Sequence, residues 1–296
     1  MQLENNAAVA PVPELGEYHK LTWKEKENFN LAQDYARDIH AYLKRFELVH
    51  PTGGCLAAHK ITHAHRARMI DWMIEVLTNF KCDDQTFFLA VQIMDRYFKE
   101  KRPARELSEL HVIGVTSMFL ASKMEDIYPL RMSMVYEKIG HKKLPIETIK
   151  TYERDILSAL DYTLNCPTSY DFLRAYLKKM FPQQDSADRE LIDKMAIYLA
   201  KMNLHDYELC SSKKPSLLAV AALYVSLKIC EQLRKMHLID SAFMKNLIKE
   251  TEFSENDIVD CAQRVLYNAQ NFETLFAGLE NLKKIHFVNL SSYLKN

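Results

Sequence analysis

The stretch LHVIGVTSMFLASKMED, Leu110 to Asp126, is apolar on nearly every side and then ends abruptly in Lys123, Glu125 and Asp126. A helix that is apolar all round is a buried helix. The run has too few consecutive apolar residues to span a membrane, and His111 and Thr116 interrupt it. It predicts the central helix of a soluble bundle, with a lysine where the helix emerges. The pattern returns as PSLLAVAALYVSLKICE, Pro215 to Glu231, and Lys228 falls 105 residues after Lys123. One buried helix per bundle, twice, predicts two tandem domains of ordinary size.

Composition supports an all-α chain. Of 296 residues, 48% are hydrophobic, and only 6 Gly and 9 Pro are available for tight turns. Lys plus Arg balance Asp plus Glu at 39 each, so no global charge points to nucleic acid or membrane. The basic pairs Lys142-Lys143, Lys178-Lys179 and Lys213-Lys214 are scattered and read as solvated helix ends. Cys55, Cys82, Cys166, Cys210, Cys230 and Cys261 form no C-x-x-C pair and suggest no disulfide framework. A reduced, intracellular protein of nucleus or cytoplasm is the expectation. The first residues, MQLENNAAVAPVPEL, carry no signal-peptide pattern and read as a disordered arm.

Periodicity and punctuation divide the chain into an arm (1–20), an N-terminal helix (21–50), a first bundle (51–164), a second bundle (165–280) and a tail (281–296). Thr22-x-x-Glu25 has the form of a capping box, and Leu31, Tyr35, Ile39, Tyr42, Leu43 and Phe46 make one helical stripe. Helices are predicted over 65–80, 84–99, 108–125, 132–139 and 146–160. The second set covers 169–180, 186–205, 215–232, 241–250 and 254–272. Ile258, Cys261, Val265, Leu266 and Ala269 repeat the face made by Ile149, Tyr152, Ile156, Leu157 and Leu160. The fold expected is two tandem five-helix bundles preceded by a single helix.

Enzyme signatures are missing. The chain has no glycine loop for phosphates, no G-x-S-x-G elbow and no H-E-x-x-H pair. His59, His63 and His65 cluster beside a loop without a carboxylate or cysteine, so no metal or cofactor is expected there. Lys123 suits the negative end of its helix. Glu153 sits between Tyr152 and Ile156 on an apolar face, where a carboxylate needs a partner. Lys123 itself, or backbone donors of another protein, would serve, and the residues alone leave both open. Arg66 and Asp95, each beside an apolar run, read as a structural ion pair between two helices.

These segments resemble the cyclin box, most nearly that of mitotic A/B-type cyclins. HRARMIDWMIEV (65–76) is similar to the family's MRAILxDWLxEV, and AVQIMDRYF (90–98) to its AVxxxDRFL. GVTSMFLASKMEDIYP (114–129) is similar to GxxxMxLASKxEExYP, and IKTYERDILSALDYTL (149–164) to xxxMExxILxxLxFxL. DYARDIHAYL (34–43) looks like the helix that precedes the box. The likeness covers roughly 35 to 177; the second bundle agrees mainly in pattern. It implies a non-catalytic subunit that binds and activates a cyclin-dependent Ser/Thr kinase as a heterodimer, by setting the kinase's αC helix and its lysine–glutamate pair. On that resemblance Lys123 and Glu153 hydrogen-bond kinase main chain. Ile39, Met124, Asp126, Ile127 and Tyr162 occupy family positions on the same surface, and Arg66 and Asp95 match the family's structural pair. A transcription-associated cyclin fold, or a scaffold that has lost the kinase surface, is the alternative.

Members that dock R-x-L substrates use an apolar patch on the box's first helix. Here His65 and Arg68 replace its first methionine and its isoleucine, while Met69, Trp72 and Glu75 remain and His111 stands for its glutamine. Weak R-x-L docking is therefore expected. The short arm holds no R-x-x-L destruction box, and Arg45-x-x-Leu48, which fits the minimal pattern, closes a helix.

Overall fold

The computed structural model describes residues 36–100, 104–181, 187–235 and 237–286. The arm, the Thr22/Glu25 box, Leu31 and Tyr35 lie outside them. The chain divides into two units, Met1–Tyr42 and Leu43–Asn296. Helix α1 (Ala36–Phe46) carries Ile39 and Tyr42 exposed in the first unit. Among the described residues the secondary structure is helical, with no strand.

The first bundle begins at α2 (His63–Asn79). Thr62 Oγ1 accepts from the His65 amide, and His65 Nδ1 accepts from the Thr62 amide, which closes a capping box. Then come α3 (Asp84–Glu100), a 3-10 turn (Leu107–Glu109) and α4 (Leu110–Glu125). Helix α4 is buried from Val112 to Ser122 and packs chiefly on α3, with α6 (Ile146–Ala159) and α2 beside it. A Cβ on Gly114 would come within 2.5 Å of Met69 Sδ, so the missing side chain lets α2 and α4 close up. The helix expected over 132–139 is α5 (Met132–Met134) running into a π-helical turn, Val135–Ile139. Apolar spacing does not distinguish a π from an α turn.

The second bundle repeats the plan with α7 (Ser169–Met180), α8 (Ala187–Asn203), α10 (Pro215–Arg234), α11 (Ser241–Thr251) and α12 (Glu255–Leu275). Helix α10 is its α4. By length and hydropathy Pro215–Leu233 would cross a membrane, but most of it is buried inside the bundle. Pro215 opens it, and buried Glu47 caps it from outside: Ser216 N and Oγ donate to the two Glu47 oxygens at 3.1 and 2.8 Å. A short helix the sequence did not announce, α9 (Tyr207–Ser212), intervenes between α8 and α10.

The bundles are stitched by buried polar groups. Arg66 is 1% exposed. It donates to both Asp95 oxygens at 2.8 and 2.6 Å, and its third nitrogen reaches the Leu204 carbonyl of the second bundle at 2.6 Å. Lys201 crosses back to Asp84 at 2.5 Å, and the Tyr207 hydroxyl accepts from Leu56 N at 3.1 Å. A backbone fit completes the joint: a Cβ on Gly53 would meet Ser211 O at 2.7 Å.

The tail expected from 281 is corrected by the structure. Residues Asn281–His286 form α13, which returns to the first bundle and lies on α2. Buried Asp71 accepts from Asn281 N and Leu282 N at 3.2 and 3.3 Å, so one bundle's aspartate caps the chain's last described helix. Burial raises the Asp71 carboxyl, but His205 and those amides outweigh it and hold the group below the usual carboxylate range.

Candidate functional site

The exposed exit of α4 gathers most of the residues singled out above. Lys123 Nζ bonds Glu153 and stands 4.0 Å from the Phe119 ring centroid. The lysine side chain is 41% exposed and the glutamate 17%. The intramolecular pair left open by the sequence therefore exists. It does not exhaust either group: an ammonium has three donors and a carboxylate about four acceptor positions. Both groups keep spare bonding capacity, and the lysine is the more exposed of the two.

The phase of α6, and so the aim of Glu153, is fixed by its neighbours. Tyr152 donates to Glu109 at 2.6 Å. Asp155 accepts from Tyr97 and Arg105 at 2.6 and 2.7 Å, and Arg105 also reaches Glu109 at 2.7 Å. Burial and the Glu109 carboxylate push the Tyr152 hydroxyl up to about 12, which keeps it a donor. The sequence hinted at this clamp only through polar residues beside Glu153.

Exposed apolar side chains follow Lys123 closely in sequence. Met124 and Ile127 are exposed, and so is Tyr128, which the sequence reading passed over. Tyr162 lies in the turn that follows α6, with φ +58°, directly after Asp161 at +47°. Left-handed backbone costs a residue with a side chain roughly 1–2 kcal/mol. Tyr162 N donates to Leu157 O at 2.8 Å, which holds that turn, and its ring is 73% exposed. Ile39 belongs to the other unit and is exposed there.

Asp126 differs from the rest. One of its oxygens accepts from Asp83 N and Thr86 Oγ1 at 3.0 and 2.8 Å, and the other from Ser122 Oγ at 2.6 Å. Beside it, burial and the Asp126 charge push the Cys82 thiol up to about 12, so that sulfur stays protonated. Asp126 is spent on internal bonds.

The six residues matched to a docking patch do not form one open surface. Trp72 and His111 rings lie 5.0 Å apart, and burial together with His141 holds His111 below its ordinary range. Met69 is buried under Gly114, and His65 is used in its capping box. Glu75 accepts from Asn281 Nδ2 at 3.3 Å. Arg68 lines a cleft of ≈ 300 Å³ between the bundles, with His63 and Arg264. The three clustered histidines are separated in use: His59 bonds Phe98 O and Arg105 N, while His63 stacks on Tyr207.

Two family models meet near the link between bundles: Cyclin, N-terminal domain matches residues 38–165, and Cyclin, C-terminal domain matches 167–285. The chain belongs to the cyclin family. It is 30% identical to a G2/mitotic-specific cyclin-B of Patella vulgata, over 84% of this chain and 57% of that one. It is 27% identical to Cyclin-B1-1 of Arabidopsis thaliana, over 81% and 53%. The chain thus spans about half the length of these curated relatives. Among solved structures, a viral cyclin from herpesvirus saimiri superposes with TM-score 0.66 at 18% identity, covering 82% of this chain and 98% of that one. A chain of the CAK complex from Chaetomium thermophilum matches with TM-score 0.51 at 14% identity, covering 78% and 70%. At such identities these two show the shared fold.

Proposed function

We propose that this cyclin is the regulatory subunit of a cyclin-dependent Ser/Thr kinase, that it activates the kinase as a heterodimer, and that it acts at G2/M inside the cell, in nucleus or cytoplasm. The observation that carries the reading is the Lys123–Glu153 pair, with bonding capacity left over, at the rim of exposed Met124 and Ile127. The G2/mitotic names of its relatives support the timing. The subunit contributes no catalytic group of its own. Its work is to hold the kinase in an active shape through main-chain hydrogen bonds from these two charges. Substrates are chosen by the kinase cleft more than by an R-x-L groove, since Met69, His65 and Glu75 are occupied internally.

The test pairs binding with activity. A recombinant mitotic cyclin-dependent kinase is titrated with wild-type chain and with the Lys123→Ala, Glu153→Ala double variant by calorimetry, and phosphate transfer to a Ser/Thr peptide is followed. Hydrogen bonds to charged groups contribute ~1.5–3 kcal/mol each, so the double variant should bind at least about a hundredfold more weakly with its helicity unchanged. Equal affinity of the two proteins would refute the reading. Binding without activation would make the chain a scaffold.

A further inference from the structure

A second cavity, of ≈ 270 Å³, lies between the bundles and shares no lining residue with the exit of α4. Buried Phe88 and Val91 of α3 and Leu218 of α10 give it apolar walls. Most of the charged groups that line it are spent. Arg66 is bonded to both Asp95 oxygens and to the Leu204 carbonyl, and the two Glu47 oxygens accept from Ser216. Burial and the nearby Arg96 hold His50 below its ordinary range despite Glu100, so that ring is uncharged at neutral pH. Two features are not spent. Lys213 and Lys214, which the sequence reads as a solvated helix end, line the cavity and are exposed, and their ammonium groups make no ion pair or hydrogen bond among the described residues. Gln92 Nε2 donates to the Pro167 carbonyl at 3.1 Å, but Gln92 Oε1 is buried without a donor. A buried acceptor left unpaired is costly to a fold.

We propose that this cavity is a binding site for a small amphipathic carboxylic acid that also carries a hydroxyl or N–H donor. Lys213 and Lys214 hold the carboxylate at the mouth, the apolar body lies against Phe88, Val91 and Leu218, and the donor reaches Gln92 Oε1. Each part of the ligand answers a shortage in the site. The free lysines favour an anion and refuse a cation, the walls favour an apolar body, and a wholly apolar molecule would leave Gln92 unpaired. Small-molecule sites have this make-up: mostly apolar walls with a few polar groups that fix orientation. At roughly 30 Å³ per water the cavity has room for about nine waters, which suits a single ring with a short acidic chain. The walls come from both bundles, so the ligand binds only where the two are joined and stabilises that joint by mass action. The site owes nothing to the proposed kinase contact.

The probe is para-hydroxyphenylpropionate, titrated into the full chain by calorimetry and followed by thermal melting. Binding should saturate at one molecule per chain with a Kd of about a millimolar, the strength open to a ligand of about a dozen non-hydrogen atoms. The melting temperature should rise with probe concentration. Two relatives of the probe separate its parts. The primary amide lacks the charge and phenylpropionate lacks the donor, and each should bind about threefold more weakly or worse. Lys213→Gln combined with Lys214→Gln should erase the preference for the acid over the amide. Gln92→Leu should erase the preference for the hydroxylated acid over phenylpropionate. Both readouts compare two probes on one protein, so a loss of stability alone does not move them. Absence of saturable binding to the wild type would overturn the inference and leave the cavity to water. An acid preference that survives the double lysine change, or a hydroxyl preference that survives Gln92→Leu, would overturn it by placing the probe elsewhere.

Discussion

The two bundles share a plan and use its most exposed joint differently. Each has an apolar central helix, α4 or α10, with a lysine in its C-terminal part. In the first, Lys123 reaches across to Glu153 on α6, above Phe119. In the second, Lys228 bonds Glu231 in its own turn at 3.0 Å, and buried Ala262 stands where α6 has Glu153. Glu231 is busy elsewhere: one oxygen accepts from Leu238 N and Ile239 N at 2.7 and 2.8 Å. On the proposed function, the repeated lysine is a kinase contact in one bundle and a brace in the other. What separates them is the carboxylate on the facing helix, so scaffold and function can be assigned separately.

The comparison would break first if the bundles were independent. Arg66 binds Asp95 in the first bundle and the Leu204 carbonyl in the second, fully buried. Arg66→Ala leaves the Asp95 carboxylate buried and unpaired, a change that costs roughly 3–5 kcal/mol. Urea unfolding followed by circular dichroism should show one transition, shifted as a whole. Two transitions, only the earlier one moved, would mean that the bundles are neighbours rather than partners.

That joint also marks where reading the sequence stops. The boundaries of α7, α10 and α11 were legible because each is announced by periodicity and by Thr168, Pro215 or Asp240 at its start. Lys123 and Glu153 stood out because charge beside an apolar face needs an explanation. Asp126 looked like a surface carboxylate, and only tertiary placement sets Thr86 and Ser122 around it. Glu47 capping α10 and Asp71 capping α13 join residues more than 150 positions apart, and no local pattern encodes such pairs. Sequence periodicity reports which face is buried; it is silent on what that face meets.

Acid should act with opposite sign on two carboxyls, one in each bundle. In the second, burial raises the Asp206 carboxyl, but Asn268, the Leu209 amide and Arg264 more than offset it and hold it below the usual range. Its folded form resists protonation, so this stability is full above the unfolded value near 4 and is lost as pH falls through the lower folded value. In the first, burial and the Asp171 charge push the Glu125 carboxyl up. Its folded form takes a proton more readily, so stability is gained as pH falls through its raised value toward the unfolded one. Thermal melts from neutral to acid pH should fall less steeply for Asp206→Asn than for wild type. Glu125→Gln should instead melt higher at neutral pH and converge with wild type in acid. Parallel profiles for all three proteins would remove this distinction.

The smallest effect is also the sharpest control. Lys228→Ala deletes the residue that matches Lys123 in the repeat, yet its side chain is 46% exposed and its carboxylate partner is anchored by two backbone amides without it. An exposed ion pair within one helical turn contributes about 0.3–0.5 kcal/mol. Urea unfolding should shift by no more than that, and calorimetric affinity for the kinase should equal wild type. The contrast with the Lys123/Glu153 double variant reads position against residue type, since both changes remove the lysine at the matching place in the repeat. A loss of kinase binding in Lys228→Ala would place the second bundle on the contact surface. The absence of Glu153's counterpart at Ala262 would then no longer mark which bundle carries the site.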